Sequence, residues 1–174
     1  PAARAGALDA YVEFMHNQIR ELLTGYGQIG LLWFDGDWME GWTTELGRAT
    51  YDLCRSLQPD IIMNNRLGKG RTGLELAQTT VGDYGTPEQL VPDADELILG
   101  YPWETCMTIN DTWGYKSFDQ NWKSVSQLCA LIDDAFNKGG NFLLNVGPDP
   151  DGVIPPESAE RFRGVGRWLR QRQH

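Results

Sequence analysis

Helix-period segments and short apolar runs alternate along this chain from one end to the other, and that alternation limits the folds open to it. Leu8, Tyr11, Val12, Met15, Ile19, Leu22 and Leu23 recur at helical spacing until Gly25 and Gly27, which predicts a helix over residues 7–24. An apolar run of strand length covers 29–35. A second helical pattern spans about 43–57, where Thr43 or Thr44 can cap and Leu46, Tyr51, Leu53 and Leu57 face inward. After Pro59-Asp60, the run Ile61-Ile62-Met63 ends in Asn64-Asn65-Arg66, so strand, helix and strand read as a βαβ unit. Residues 67–85 are glycine-rich and weakly periodic, with Thr79-Thr80-Val81 as one short strand. Strands over 103–109 and 141–146 bracket a helix over 122–137, whose Val125, Leu128, Leu131, Ile132, Ala135 and Phe136 face inward. A last helix covers about 156–170.

This order favours an α/β architecture in which the strands are parallel and covered. Two layouts satisfy it. A doubly wound sheet carries a glycine-rich phosphate loop after its first strand, yet no GxGxxG follows any strand here, and Gly68-Lys69-Gly70 has neither the spacing nor the setting. A TIM-barrel-like (β/α)8 layout instead gathers polar residues at the carboxyl ends of successive strands, where Asp35, Asn64-Asn65-Arg66, Glu104 and Asn145 fall. A whole barrel takes ~250 residues, so residues 1–174 are expected to form a single partial barrel domain containing about its last four or five βα units.

Charge and composition remove several functions. With 24 Asp and Glu against 15 Lys and Arg, and a net charge of −9, a basic face for nucleic acid is not expected. No apolar run approaches the ~20 residues that span a bilayer, so a membrane partner is not expected either. His16 and His174 lie near opposite ends, which argues against a histidine triad or a histidine-rich metal site, and no metal or other cofactor is expected. Cys54, Cys106 and Cys129 read as small buried hydrophobes. Asp149-Pro150-Asp151-Gly152 reads as a tight turn rather than a calcium loop.

The most telling stretch is Ile29-Gly30-Leu31-Leu32-Trp33-Phe34-Asp35-Gly36-Asp37-Trp38, where a core strand stops at a carboxylate among aromatic side chains. An ionised carboxylate in such a setting costs several kcal/mol unless it is paired or hydrogen-bonded, so it needs a reason. Several carboxylates, an Arg and many Trp near strand ends, with no Ser-His or Cys-His pair, point to carbohydrate chemistry. Two carboxylates can cleave a glycosidic bond while flat aromatic faces pack against a sugar ring.

The motifs narrow that reading. Trp33-Phe34-Asp35-Gly36, Asn64-Asn65-Arg66, Gly82-Asp83-Tyr84-Gly85-Thr86-Pro87-Glu88, Trp103-Glu104-Thr105-Cys106-Met107-Thr108, Thr112-Trp113-Gly114-Tyr115 and Gly139-Gly140-Asn141-Phe142-Leu143-Leu144-Asn145-Val146-Gly147-Pro148 together resemble glycoside hydrolase family 29, the retaining α-L-fucosidases. The resemblance runs from the first helix to the last. It implies hydrolysis of terminal α-L-fucosyl residues on a fucosylated glycan or fucoside, with Asp35 as the nucleophile that forms a covalent fucosyl intermediate. Family members take the acid/base from different loops, so both Glu88 and Glu104 match, with Glu88 preferred for its Pro-containing setting. Arg66 resembles the family's sugar-contacting arginine, and Trp38 and Trp113 resemble the aromatics around the fucose methyl group.

Members of that family carry further barrel strands, with histidines and a tryptophan that hold the fucose hydroxyls, before the part this chain resembles, and usually a β-sandwich domain after it. A lone half-barrel leaves sheet edges and an apolar interior open, so a homo-oligomer or part of a longer chain is expected. The alternative expectation is a fucose-binding fragment that keeps the pocket without turnover.

Overall fold

The computed structural model describes residues 7–70, 81–97 and 100–172. It divides into two compact α/β units, one of Pro1–Thr86 with Ile98–Pro102 and the other of Pro87–Leu97 with Trp103–His174.

In the first unit, α1 (Ala7–Gly25) leads to β1 (Leu31–Leu32), α2 (Thr44–Leu57), β2 (Ile62–Met63) and a 3-10 turn over Asn65–Leu67. Thr43 caps α2, its side chain accepting the Leu46 N–H. β1 and β2 are parallel, with Leu31 opposite Ile62 and Leu32 opposite Met63, so the expected βαβ unit is present. Asn64 then bridges in parallel to Tyr84, which brings a further segment alongside the end of β2. Against the strands expected over 29–35 and 61–66, β1 and β2 pair with each other through the main chain for only two residues each. Side chains have displaced the ladder. Gln58 Oε1 accepts from Ile29 N at 2.8 Å, and Asn64 Oδ1 accepts from Phe34 N at 2.9 Å, so one carboxamide closes each end of β1. Of the strand expected at 79–81, residues 79 and 80 lie outside the described residues.

Val12, Ile19 and Leu23 of α1 and Cys54 of α2 close over Ile61, Met63, Leu67 and Val81 to form this unit's core. Leu32 and Met63 face that core, while Leu31 and Ile62, one residue away on a strand, are exposed on the opposite face of the sheet. α2 crosses the 3-10 turn at Gly47, where a Cβ would lie 2.0 Å from the Leu67 carbonyl oxygen. Only glycine permits that approach.

In the second unit, Glu88 bridges in parallel to Cys106 of β3 (Glu104–Thr108), and β3 pairs in parallel with β4 (Asn141–Asn145) across α3 (Val125–Asn137). α4 (Pro156–Arg172) ends the described chain. Leu128, Cys129 and Ile132 of α3, Val165 of α4 and Ile109 form the core, with Phe142 and Leu144 packed against it. The alternate residue Leu143 is exposed on the far face of the sheet. α3 begins three residues later than its periodicity suggests because Ser124 forms a capping box with Gln127. Phe136 corrects the expected inward face: it is about half exposed, while Leu128, Ile132 and Ala135 are buried. Cys54, Cys106 and Cys129 are all buried, and burial pushes the Cys54 thiol up to about 11. Asp149 closes the expected turn, accepting from the N–H groups of Asp151, Gly152 and Val153.

Candidate active site

Asp35 and Arg66, 31 residues apart in sequence, meet in the first unit. The end of β1 delivers Asp35, and the 3-10 turn after β2 delivers Arg66, whose Nη1 donates to Asp35 Oδ1 at 2.9 Å. The pair is asymmetric: the Arg66 side chain is 3% exposed and that of Asp35 is 48% exposed. A fixed, buried cation therefore holds a carboxylate whose other side is open to a ligand. A planar guanidinium suits this task, since it binds the carboxylate at its edge and stacks on an aromatic ring with its face. Arg66 does so over Trp33, 4.4 Å from the ring centroid.

Arg66 is itself held. Its Nε donates to Thr86 Oγ1 at 3.0 Å, and that hydroxyl donates to Asn65 Oδ1 at 2.8 Å, with both Thr86 and Asn65 fully buried. Asp83 ties the same segment to the sheet: Oδ2 accepts the Met63 N–H at 2.7 Å, and Oδ1 accepts from Tyr51 Oη and Arg55 Nη2, each at 2.6 Å. Gly82 lets this strand lie against β2, since a Cβ there would sit 2.5 Å from Asn64 O. Two buried donors around Arg66, Trp33 Nε1 and Asn65 Nδ2, take no hydrogen-bond partner among the described residues.

The second unit carries Glu88, Glu104 and Trp113. Glu88 sits on a main-chain rung: Cys106 N donates to Pro87 O at 3.0 Å, and Gln89 N donates to Cys106 O at 2.9 Å. Gln89 has a left-handed backbone, φ 59°, which is uncommon outside glycine. Its carboxamide secures that conformation, Oε1 accepting the Thr108 N–H at 3.2 Å and Nε2 donating to Thr108 Oγ1 at 3.0 Å. Glu104 opens β3, two residues before Cys106, and burial raises its carboxyl above the ordinary value. Trp113 is partly exposed, and its carbonyl accepts from Asn145 Nδ2 at the end of β4 at 2.7 Å. Asp119 braces the loop that holds Trp113, accepting from Thr112 Oγ1 at 2.7 Å and from Asp111 N at 3.1 Å.

Trp38 follows Asp35 on the same turn but is 67% exposed. Among the described residues, no group of three or more His, Cys, Asp or Glu side chains is set to hold a metal ion. Sequence reasoning assigned no role to Asn64, Asn65, Thr86 or Gln89. The signal for them was polar residues interrupting or ending core strands, because a buried carboxamide or hydroxyl must find partners.

An alpha-L-fucosidase family model matches residues 2–174. Among solved structures, alpha-L-fucosidase isoenzyme 1 from Paenibacillus thiaminolyticus is 38% identical with a TM-score of 0.77, covering 93% of this chain and 39% of its own. The alpha-L-fucosidase from Lactobacillus casei, solved in complex with alpha-L-fucose product, is 31% identical with a TM-score of 0.71, covering 91% of this chain and 44% of its own. A curated alpha-L-fucosidase from Dictyostelium discoideum is 29% identical over 90% of this chain and 33% of its own length. The chain thus spans about a third of the length of the curated relatives it matches.

Proposed function

The chain belongs to the alpha-L-fucosidase family, and from that premise we propose that it is the catalytic segment of a retaining exo-α-L-fucosidase acting on fucosylated glycans or simple fucosides. One observation carries the reading: a half-exposed Asp35 at the end of a core strand, held at 2.9 Å by a buried arginine. Asp35 attacks the anomeric carbon as the bond to the leaving-group oxygen breaks, giving a fucosyl ester. A glutamate protonates that oxygen as it leaves. The same glutamate then takes a proton from water, whose oxygen attacks the anomeric carbon, releases fucose and frees Asp35.

Glu88 is the acid/base in this mechanism. Its rung meets β3 at Cys106, further along the strand direction than Glu104, and barrel enzymes work at the carboxyl ends of their strands. The raised pKa of Glu104 also suits a proton donor, so variants of both are needed. Arg66, Trp38 and Trp113 contact the sugar in this reading.

The two parallel ladders are portions of a (β/α)8 barrel, about four or five βα units forming a single partial catalytic domain. The exposed Leu31 and Ile62 on one sheet face and Leu143 on the other unit's sheet support a covering element, supplied by a longer chain or a second copy.

Hydrolysis of 4-nitrophenyl α-L-fucoside tests the proposal. Release of nitrophenol, with α-L-fucose as the first-formed anomer by proton NMR, is the expected result. Saturable fucose binding without turnover would instead indicate a binding module, and inversion at the anomeric carbon would remove the ester intermediate.

A further inference from the structure

The peptide that carries Asp35 is gripped by one side chain. Asn64, fully buried, accepts the Phe34 N–H through Oδ1 at 2.9 Å and donates from Nδ2 to the Phe34 carbonyl oxygen at 2.9 Å. That carbonyl belongs to the peptide bond joining Phe34 to Asp35. Main-chain pairing of β1 with β2 has ended at Leu32 and Met63, so the carboxamide takes over where the ladder stops. Asn64 has fixed neighbours on its other side: Met63 O accepts from Asp83 N at 2.7 Å, Asn65 N donates to Tyr84 O at 2.9 Å, and Gly82 packs against the Asn64 carbonyl.

A carboxamide offers a donor and an acceptor side by side at every pH, which a carboxylic acid does only while protonated. A leucine of similar size would leave both Phe34 groups buried and unpaired. An ionised aspartate would set an oxygen against the Phe34 carbonyl oxygen. Arg66 fixes the carboxylate of Asp35 while Asn64 fixes the backbone it grows from, so two neighbouring residues orient one acid from both ends.

We propose that Asn64 is a positioning residue for Asp35, acting on the chemical step through the Phe34–Asp35 peptide rather than by touching the sugar. The inference rests on Asp35 being the nucleophile. Displacing a reacting group by about 1 Å can cost about 100-fold in rate, which sets the scale of the effect.

The test is a double-mutant cycle on the protein carrying this chain, with 4-nitrophenyl α-L-fucoside. Asp35→Gly with added azide comes first: azide attacks the anomeric carbon, nitrophenolate leaves, and β-fucosyl azide forms. Rescue by azide upholds the nucleophile reading. Absence of rescue, or full activity of Asp35→Gly, overturns that reading and this inference with it. Asn64→Ala and Asn64→Leu are then measured in both backgrounds. With Asp35 present, each is expected to lower kcat by about 10- to 100-fold with KM changed less than about threefold. In the azide-rescued Asp35→Gly background each should change the rate less than about threefold, because a diffusing nucleophile needs no clamp. An equal loss in both backgrounds, or no loss in either, overturns the proposal. Circular dichroism checks folding, and if Asn64→Ala does not fold, Asn64→Leu, which leaves less of a cavity, decides.

Discussion

The two units present their acids by different means. In the first, side chains do the holding: Asn64 grips the peptide before Asp35, Arg66 grips its carboxylate, and Thr86 and Asn65 brace the arginine. In the second unit the main chain carries the acids, with one side chain, the Gln89 carboxamide on Thr108, bracing the residue after Glu88. Glu88 rides on a ladder rung between Pro87 and Gln89, and Glu104 is built into β3 itself. This contrast matches the demands of the proposed reaction. A nucleophile must hold one position to within a fraction of an ångström, and side-chain pairing sets position and angle together. A proton donor needs reach and a suitable pKa more than a single pose.

Four substitutions break or sharpen that contrast. Asp35→Gly has the largest expected effect, a loss of roughly 10⁴-fold or more in kcat for 4-nitrophenyl α-L-fucoside, because in the proposed mechanism Asp35 forms the ester. Next comes Glu88→Gln, expected to cost about 10²- to 10⁴-fold in kcat/KM for a fucosyl disaccharide but much less for the nitrophenyl substrate, whose leaving group needs no proton. Glu104→Gln should lack this leaving-group dependence, and finding it there instead would exchange the roles of the two glutamates. Leu128→Ala, in the core of the second unit, removes a fully buried side chain and should lower stability by about 3 kcal/mol in urea unfolding, with m unchanged.

The smallest effect concerns pH. Burial raises the folded-state pKa of Glu104 above its unfolded value, so between the two the folded chain keeps a proton that the unfolded chain has lost. Stability from this group is therefore greatest below the unfolded pKa and falls as pH rises through the folded one. Glu104→Gln should raise Tm by at most a few degrees at pH 7 and lose that gain in acid below the ordinary carboxylate range. A gain that grew toward low pH would contradict the desolvation of Glu104.

The helices were legible because their burial follows a local period. The cap of α2 was narrowed to Thr43 or Thr44 and is Thr43, while the Ser124 and Gln127 box that starts α3 is present in the sequence but hidden by an apolar period that begins before it. Strand extents were overestimated because apolar character does not say whether a residue pairs through main chain or through a neighbour's carboxamide. Gln58 and Asn64 make that substitution from 29 and 30 residues away. Parallel pairing was readable from the alternation of elements. The Asp35–Arg66 contact was not, although both residues stood out, because spacing along the chain carries no distance across a sheet. Phe136 illustrates the remaining error: an apolar residue at the rim of a helical stripe is as free to face solvent as the core.

Covalent trapping at Asp35 tests the nucleophile assignment most directly. A 2-deoxy-2-fluoro-α-L-fucosyl donor with a good leaving group slows breakdown of the ester, and peptide mass spectrometry then locates the sugar. Double displacement through Asp35 predicts one fluorofucosyl group, on that residue, with inactivation in step with labelling. Labelling of another carboxylate, or turnover of the fluoro sugar through no covalent adduct, would contradict it.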